Sequence, residues 1–551
     1  MPPRILLGHS DFLTLHEDEG YYVDKSLFVA TVLNAPAQAM LYPRPRRFGK
    51  TLNMTMLRAF LEIGPDRTTL FRGLKIWQDP YARKHFQRHP VITLSFKDVK
   101  SRSWPEALVG LRGILSAEVE RHLPAYTGLS EASALRSRLE DVRGGGGDPT
   151  RALRDLCQAL TEHHSERPVV LIDEYDAVVL TAWECGYYDE AVAFFRGLLS
   201  AGLKDNPFLY KAVLTGILRV ARESMFSGLN NVQVFSLLHP DADEAFGFTE
   251  PEVLALLDEF SRSDAAEQVR HWYNGYRFGD TTVYNPISIM SMLAFPRSPF
   301  RSWWLGTSEN SLVRSLLLQT TDLRAGMATL LSGGSVEAQI SEDVALRDLS
   351  GEHVWGLLLF AGYLRADNVH VVEAVTFAKL RIPNAEVRSL WEGTFSQWLR
   401  DHSGGVEPLH SALLSGDAPG VERILAHMLR HSASFHDLSE TQDEIFYHAF
   451  VLGLLVTLEK THFVRSNRES GEGRPDLLLI PRRPGLPGVV LEFKRREGKR
   501  KLSTTALAAV RQLETLDYAA ELEAAGASPV HKLGIAFGGR EVAVRGASPA
   551  R

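Results

Sequence analysis

Two sets of residues in this chain have the types and spacing for phosphate chemistry. The first is Arg44-Pro45-Arg46-Arg47-Phe48-Gly49-Lys50-Thr51, led into by Leu41 and followed by Leu52, Met56, Leu57, Phe60 and Leu61 at helical spacing. A polar turn that opens onto a helix start lets backbone N–H groups and the helix dipole grip an anion. Gly49 allows close approach of the main chain, Lys50 reaches the terminal phosphates, and the Thr51 hydroxyl can join the coordination of a Mg2+ ion. Arg46, Arg47 and Phe48 complete the loop and count with these three as nucleotide-binding residues. One departure stands out. The ordinary loop opens with a glycine five residues before Gly49, and here that place is Arg44, held extended by the proline after it. The loop therefore needs a partner motif to carry the reading.

That partner lies downstream. Pro168-Val-Val-Leu-Ile-Asp173-Glu174 is an apolar run ending in two carboxylates, which predicts a buried parallel strand with its acids at the carboxyl end. Asp173 is placed to organise the metal and Glu174 to polarise an attacking water, as ATP hydrolysis requires. A further strand, Phe208 to Leu214, ends in Thr215-Gly216, so Thr215 is expected beside the γ-phosphate. Arg219 or Arg222 then supplies positive charge to the transferring group. A capping threonine and solvated arginines are the plain alternative.

The second set is near the end of the chain. Arg474-Pro475-Asp476-Leu-Leu-Leu-Ile480 reads as a strand entered through proline, and a Pro/Gly turn from Pro481 to Gly488 returns into Val489-Val490-Leu491-Glu492-Phe493-Lys494. At period two, Glu492 and Lys494 share one face while Leu491 and Phe493 take the other. Opposite charges on so apolar a strand need a partner to be buried, and a divalent cation supplies one. Asp476 and Glu492 offer oxygen ligands to Mg2+, and Lys494 orients or deprotonates the water. A surface Glu/Lys pair on an edge strand is the bland alternative. Arg495, Arg496, Lys499, Arg500 and Lys501 follow, and Arg465, Arg468 and Arg474 precede, where a phosphate-rich substrate would lie.

The elements that must position these sets follow from the rest of the chain. With 551 residues, three domains are expected: 1–236, 237–437 and 438–551. Pro90 to Phe96 adds a buried strand, Pro105 to His122 and Thr150 to His163 read as helices, and Gly144 to Gly147 mark a loop. Strand and helix in alternation predict an α/β fold, a parallel sheet of P-loop type with helices on both faces and its ligand at the strand carboxyl ends. Tyr21-Tyr22-Val23-Asp24-Lys25 reads as a flank of the nucleotide site, with packing as the alternative. The segment 237–437, with aromatic clusters at 271–278, Trp303-Trp304 and 391–398, reads as a mainly helical connector. A net charge of -6 excludes whole-surface attraction to nucleic acid or anionic membrane. Two cysteines, no apolar signal core and no apolar run long enough to span a bilayer give the expectation of a cytoplasmic protein without a membrane partner. Nothing here sets the oligomeric state.

Taken together, Arg-Pro-Arg-Arg-Phe-Gly-Lys-Thr at 44–51, Leu-Ile-Asp-Glu-Tyr-Asp at 171–176, Thr-Gly-Ile-Leu-Arg at 215–219, Phe-Ser-Gly-Leu-Asn-Asn at 226–231 and Trp-Tyr-Asn-Gly-Tyr-Arg-Phe at 272–278 resemble the bacterial AAA-ATPase-like proteins that carry a C-terminal PD-(D/E)XK nuclease-superfamily domain. The resemblance covers nearly the whole chain. It implies that the arginine-rich loop without its first glycine is that family's own variant, and that residues 438–551 form a restriction-endonuclease-like α/β domain. It further implies an acid near the metal from Glu444, which is equally a stabilising charge at a helix N-terminus, and Gln512 near the active site from the helix Leu507 to Leu522, which also bears Tyr518. The expected function is ATP binding and hydrolysis coupled to a Mg2+-dependent nuclease acting on nucleic acid, with DNA as the expected substrate. The rival is an NTP-driven switch or scaffold whose C-terminal domain holds nucleic acid without cutting it.

Overall fold

The structure is a computed structural model. It describes the chain except for residues 1–3, 221–230, 240–242, 305–325, 328, 332, 345, 347–351, 404, 433–446, 448–450, 452–453, 456–457, 459–460, 467–474, 497, 499, 516–518, 539–540 and 548–551. The chain divides into two compact units, one of residues 1–307, 338–378 and 383–386, the other of 308–337, 379–382 and 387–551.

The first unit is built on five strands: β1 (Ala39–Pro43), β2 (Val91–Ser95), β3 (Val169–Asp173), β4 (Lys211–Gly216) and β5 (Val232–Val234). They lie in the order β2-β3-β4-β1-β5, and every pair is parallel. β1, β3 and β4 are buried at every residue, as strands of a parallel sheet covered on both faces must be. Apart from Lys211, which opens β4, their polar chemistry is gathered toward the carboxyl ends, at Asp173 and Thr215. The register then sets the site: Tyr42 lies opposite Thr215 and Pro43 opposite Gly216, while Ile172 lies opposite Leu214. The carboxyl ends of β1, β3 and β4 therefore finish side by side, each followed by a turn into the next element.

Residues 237–307 belong to this unit, so the expected boundary at 236/237 falls inside it. Helices predominate among the described residues of the segment 237–437, with short sheets set between them. The segment contains the antiparallel sheet of Phe248–Thr249, Thr281–Tyr284 and Tyr276–Phe278, and strands Arg365–Val372 and Val375–Arg381 follow later. Its core, with Val253, Leu256, Val269, Tyr273, Tyr284 and Ile289 all buried, packs against Ile5, Tyr21 and Val23 near the start of the chain. Tyr273 and Tyr284 belong to this core, and Trp272 and Trp303 pack against it.

In the second unit, β6 (His462–Ser466), β7 (Leu477–Pro481), β8 (Gly488–Arg495), β9 (Val530–Gly538) and β10 (Glu541–Gly546) form one sheet in sequence order. Neighbours are antiparallel except β8 and β9, which run parallel. Leu478, Ile480 and Val490 on one face pack with Leu513 and Leu522, which belong to the helices Leu502–Thr515 and Ala519–Ala524. Gly534 on β9 makes the close approach possible. A β-carbon there would stand 2.5 Å from the carbonyl oxygen of Ala506 and 2.7 Å from the nitrogen of Val510.

Candidate functional sites

The phosphate-gripping loop joins β1 to the helix Lys50–Leu61, here α1. Gly49 caps that helix in the left-handed region, φ +81°, with open space where a side chain would project. That is the conformation that lets main-chain N–H groups face an anion. Arg44 occupies the place of the missing glycine without opening the loop. Its own N–H donates to the Gly216 carbonyl at 2.9 Å, continuing the pairing of β1 with β4. Its side chain is fully buried, donates to the carbonyl oxygens of Pro43 and Phe235 at 2.9 and 2.6 Å, and lies 5.1 Å from the Phe246 ring centre and 5.3 Å from that of Phe278. The loop is thus secured from behind by a guanidinium rather than shaped by a glycine turn.

Lys50 is buried and donates to the carbonyl oxygens of Arg44 and Pro45, each at 2.9 Å. Burial pushes its pKa down, against the pull of Glu174, Asp173 and Asp176. The Thr51 hydroxyl donates to Asp173 Oδ2 at 2.7 Å, and Thr215 donates to Oδ1 of the same carboxylate. Three sequence-predicted residues therefore meet at one point. The donor set of Thr51 and Asp173, a hydroxyl and a carboxylate at a helix start, suits a hard cation. Glu174, at φ +51°, begins the helix Tyr175–Cys185, here α2, and faces the adjoining cavity.

That cavity, about 700 Å³, is lined by Arg47, Phe48, Gly49, Lys50 and Thr51 at the loop. Its other walls come from Leu6 to Ser10, Tyr21 to Val23, and Ile287, Met290, Phe295 and Trp303. A polar end at the loop and an apolar slot beyond it match a phosphate-bearing ligand with a flat organic group. Tyr21 and Tyr22, weighed above between flank and packing, face it. Phe48 does so with its ring buried against Tyr276 and Phe278, at 4.9 and 5.0 Å between ring centres. Arg46 is not among the lining residues, though its charge reaches Lys50 and Arg47. Arg219 is a correction. Its guanidinium pairs with Asp343 at 2.8 Å, their short strands lying parallel, and it is absent from the cavity wall. Arg222 lies outside the described residues.

Sequence reasoning missed two carboxylates that hold this site together. Asp176 is buried and accepts N–H bonds from Ile217 and Leu218 at 2.7 and 2.9 Å, while the Tyr175 hydroxyl donates to Leu218 O at 2.5 Å. The turn after Thr215 is thereby tied to the start of α2. Burial pushes Asp176 up to about 6. Glu386, fully buried, accepts from Ser288 Oγ at 2.7 Å and from the N–H groups of Trp303 and Trp304 at 2.7 and 2.8 Å, knotting the apolar wall. Asp176 was visible inside Ile-Asp-Glu-Tyr-Asp; nothing local marked Glu386.

The second site sits on β7 and β8. Leu477 lies opposite Leu491, and continuing that register sets Asp476 opposite Glu492, on the face shared with Leu478 and Val490. Asp476 Oδ2 accepts the N–H of Phe493 at 2.7 Å. Glu492 is 3% exposed. Its Oε1 stands 3.3 Å from Lys494 Nζ, and its buried Oε2 has no hydrogen-bond partner among the described residues. Burial first, and the neighbouring charge of Asp476 second, push Glu492 up to about 7, with Lys494 pulling it back. A buried carboxylate oxygen without a donor is rare and costly, and a cation ligated there satisfies it.

Among the described residues no group of three or more acids, histidines or cysteines gathers for a metal, so the protein side chains brought together are two. Glu444 lies outside the described residues, as do Tyr518, Arg468, Arg474 and Lys499. Gln512 is half-buried on the helix Leu502–Thr515, here α3, whose Val510 and Leu513 pack on the sheet. The basic run is smaller than the sequence suggested. Arg465 is paired with Glu521, and Arg496 with Glu541 at 2.9 Å.

Comparison with known proteins agrees with both halves. Residues 6–226 match the family model of predicted AAA-ATPases, and residues 442–546 match that of the PD-(D/E)XK nuclease superfamily. The chain therefore carries an AAA-ATPase-like region followed by a PD-(D/E)XK nuclease-superfamily domain. It is 28% identical over 555 residues to the uncharacterized protein in the vnfD 5′ region of Azotobacter chroococcum mcd 1, covering 97% of this chain and 96% of that one. A Walker-type ATPase of Pyrococcus abyssi aligns at 13% identity with a TM-score of 0.33, over 67% of this chain and 94% of that one. No helix among the described residues is long and apolar enough to cross a membrane.

Proposed function

We propose that this protein binds and hydrolyses ATP in its first unit and cuts nucleic acid, with DNA as the expected substrate, in its second. The observation that carries the cutting half is Glu492: a buried carboxylate opposite Asp476, one oxygen beside Lys494 and the other without a donor. Asp476 and Glu492 would hold Mg2+, which supplies charge to the scissile phosphate and lowers the pKa of a bound water. Lys494 orients that water and holds its proton balance. In the first unit Thr51 and Asp173 would hold the nucleotide's Mg2+, Lys50 exchanges its carbonyl partners for phosphate oxygens, and Glu174 orients the attacking water.

The test is incubation of the pure protein with labelled DNA and RNA, with and without Mg2+ and ATP. Cleavage is expected only with Mg2+ and is abolished in Asp476→Ala, while Glu174→Gln abolishes phosphate release from ATP. Wild-type protein that binds DNA in a salt-sensitive way yet never cuts it would replace the nuclease by the switch reading.

A further inference from the structure

We infer that Arg47 is a catalytic residue of the ATPase site: its guanidinium meets the transferring γ-phosphoryl group from within the same chain, so hydrolysis needs no arginine from a second copy. This rests on the ATPase reading above and supplies the cation that reading lacks, since Arg219 is paired with Asp343 and absent from the cavity wall. Arg47 stands at φ +68° and Gly49 at φ +81°. Two left-handed residues so close turn the main chain inward, and among the described residues no protein group accepts the N–H of Arg46, Arg47 or Gly49. Lys50 reaches back to the carbonyls of Arg44 and Pro45, which brings its ammonium to the same turn. An anion held by these groups lies against the main chain of Arg47.

The side chain has charge to give. Arg47 lines the cavity with Lys50, Thr51 and Glu174, and among the described residues neither it nor Arg46 has a hydrogen bond or ion pair. The other cations named at this site are engaged, Arg44 and Lys50 by main-chain carbonyls and Arg219 by Asp343. Burial, and then the neighbouring charge of half-buried Arg46, push the Arg47 pKa down, with Glu386 pulling it back. Glu386 already accepts from Ser288 and from the N–H groups of Trp303 and Trp304. A phosphate, with several oxygens, satisfies such a surplus of donors. Arginine is also a rare occupant of φ +68°, where glycine carries no strain, so the turn alone does not account for it. In the reaction the water oxygen bonds to the γ-phosphorus while the bond from that phosphorus to the bridging oxygen breaks. Glu174 orients the water, whose proton ends on the released phosphate. Negative charge gathers on the bridging and γ-oxygens, and the guanidinium, protonated throughout, donates N–H bonds to them.

The experiment compares the full wild-type chain with Arg47→Gly, the residue this φ suits, and with Arg47→Lys, in phosphate release from ATP and in binding of a fluorescent ATP analogue. Arg47→Gly is expected to lower kcat about 10³-fold, the low end for an arginine at a transferring phosphoryl group, while analogue affinity changes less than about tenfold. Guanidinium ion, added well below denaturing concentration, restores part of kcat to the glycine variant, which lost structure would not allow. Arg47→Lys, with the charge but not the fork, falls between. Wild-type specific activity stays constant across dilution. Arg47→Gly with wild-type kcat, or with affinity lost in step with kcat, overturns the catalytic role and leaves the ATPase reading standing. Specific activity that climbs with protein concentration does the same, because the cation then comes from another copy. Wild-type protein that releases no phosphate at any concentration overturns both.

Discussion

Restoring the missing first glycine, Arg44→Gly, looks like a repair of the phosphate loop and is expected to damage it. In the structure Arg44 is fully buried, donates to two main-chain carbonyls at 2.9 and 2.6 Å, and stands over two phenylalanine rings. Glycine leaves the carbonyl of Phe235 without this donor, a cost of about 1–3 kcal/mol. It also removes two cation–π contacts, about 0.5–2 kcal/mol each, and leaves a void. The guanidinium's own desolvation penalty is recovered, which offsets part of the loss. A net destabilisation of about 3–5 kcal/mol of the first unit is the expected balance, and about half of that for Arg44→Lys, which reaches fewer of these partners. Because the chain has two units, the measurement is the midpoint of the transition followed by a probe in the first unit, together with the affinity for a fluorescent ATP analogue. The Lys50 ammonium rests on the carbonyls of Arg44 and Pro45, so affinity should fall with stability. A glycine variant with an unchanged midpoint and tighter nucleotide binding would refute the idea that the arginine secures the loop.

Three other substitutions probe the same logic. Asp176 is raised from 3.8 to about 6 by burial, so its contribution to stability is full below pH 3.8 and is lost as pH rises through 6, about 3 kcal/mol in all. Asp176→Asn keeps an acceptor for Ile217 and Leu218 and should flatten that dependence, gaining on wild type in denaturant titrations between pH 4 and pH 8. Glu386→Gln keeps an oxygen for the N–H groups of Trp303 and Trp304 but sets an amide donor against the Ser288 hydroxyl, which should cost about 1–3 kcal/mol and loosen the cavity wall, read as weaker nucleotide binding in calorimetry. Gly534→Ala drives a methyl into the backbone of α3, so a loss of about 1–3 kcal/mol in the second unit is expected, with Mg2+ affinity lowered because β9 adjoins Glu492.

What was legible in the sequence was local and periodic. Gly49-Lys50-Thr51 opens a helix, Pro168 to Asp173 ends a buried strand in acids, and Glu492 shares a face with Lys494, each because a short stretch encodes its own geometry. Their meeting was legible too, since a parallel sheet gathers strand ends, and Asp173 does receive both Thr51 and Thr215. What failed was long-range pairing of long side chains. Arg219 was assigned to the phosphates by its distance along the chain, whereas Asp343, more than a hundred residues on, claims it. Arg465 and Arg496 were counted as free charge because Glu521 and Glu541 become their neighbours only through the sheet. The strands set between the connector's helices were missed for a related reason: runs as short as Phe248–Thr249 and Tyr276–Phe278 show no period.

The same distinction explains why Arg44 looked like a defect. Read along the chain, an arginine where a glycine belongs can only hinder a tight turn. Read through the sheet, its partners are Phe235 on one side and the rings of Phe246 and Phe278 on the other, contributed by a segment some two hundred residues later. A guanidinium needs flat surfaces and carbonyl acceptors to be buried at tolerable cost, and these residues supply both. The loop and the segment from 235 to 278 therefore constrain each other, so variants of Phe246 or Phe278 should disturb nucleotide binding although neither ring lines the cavity.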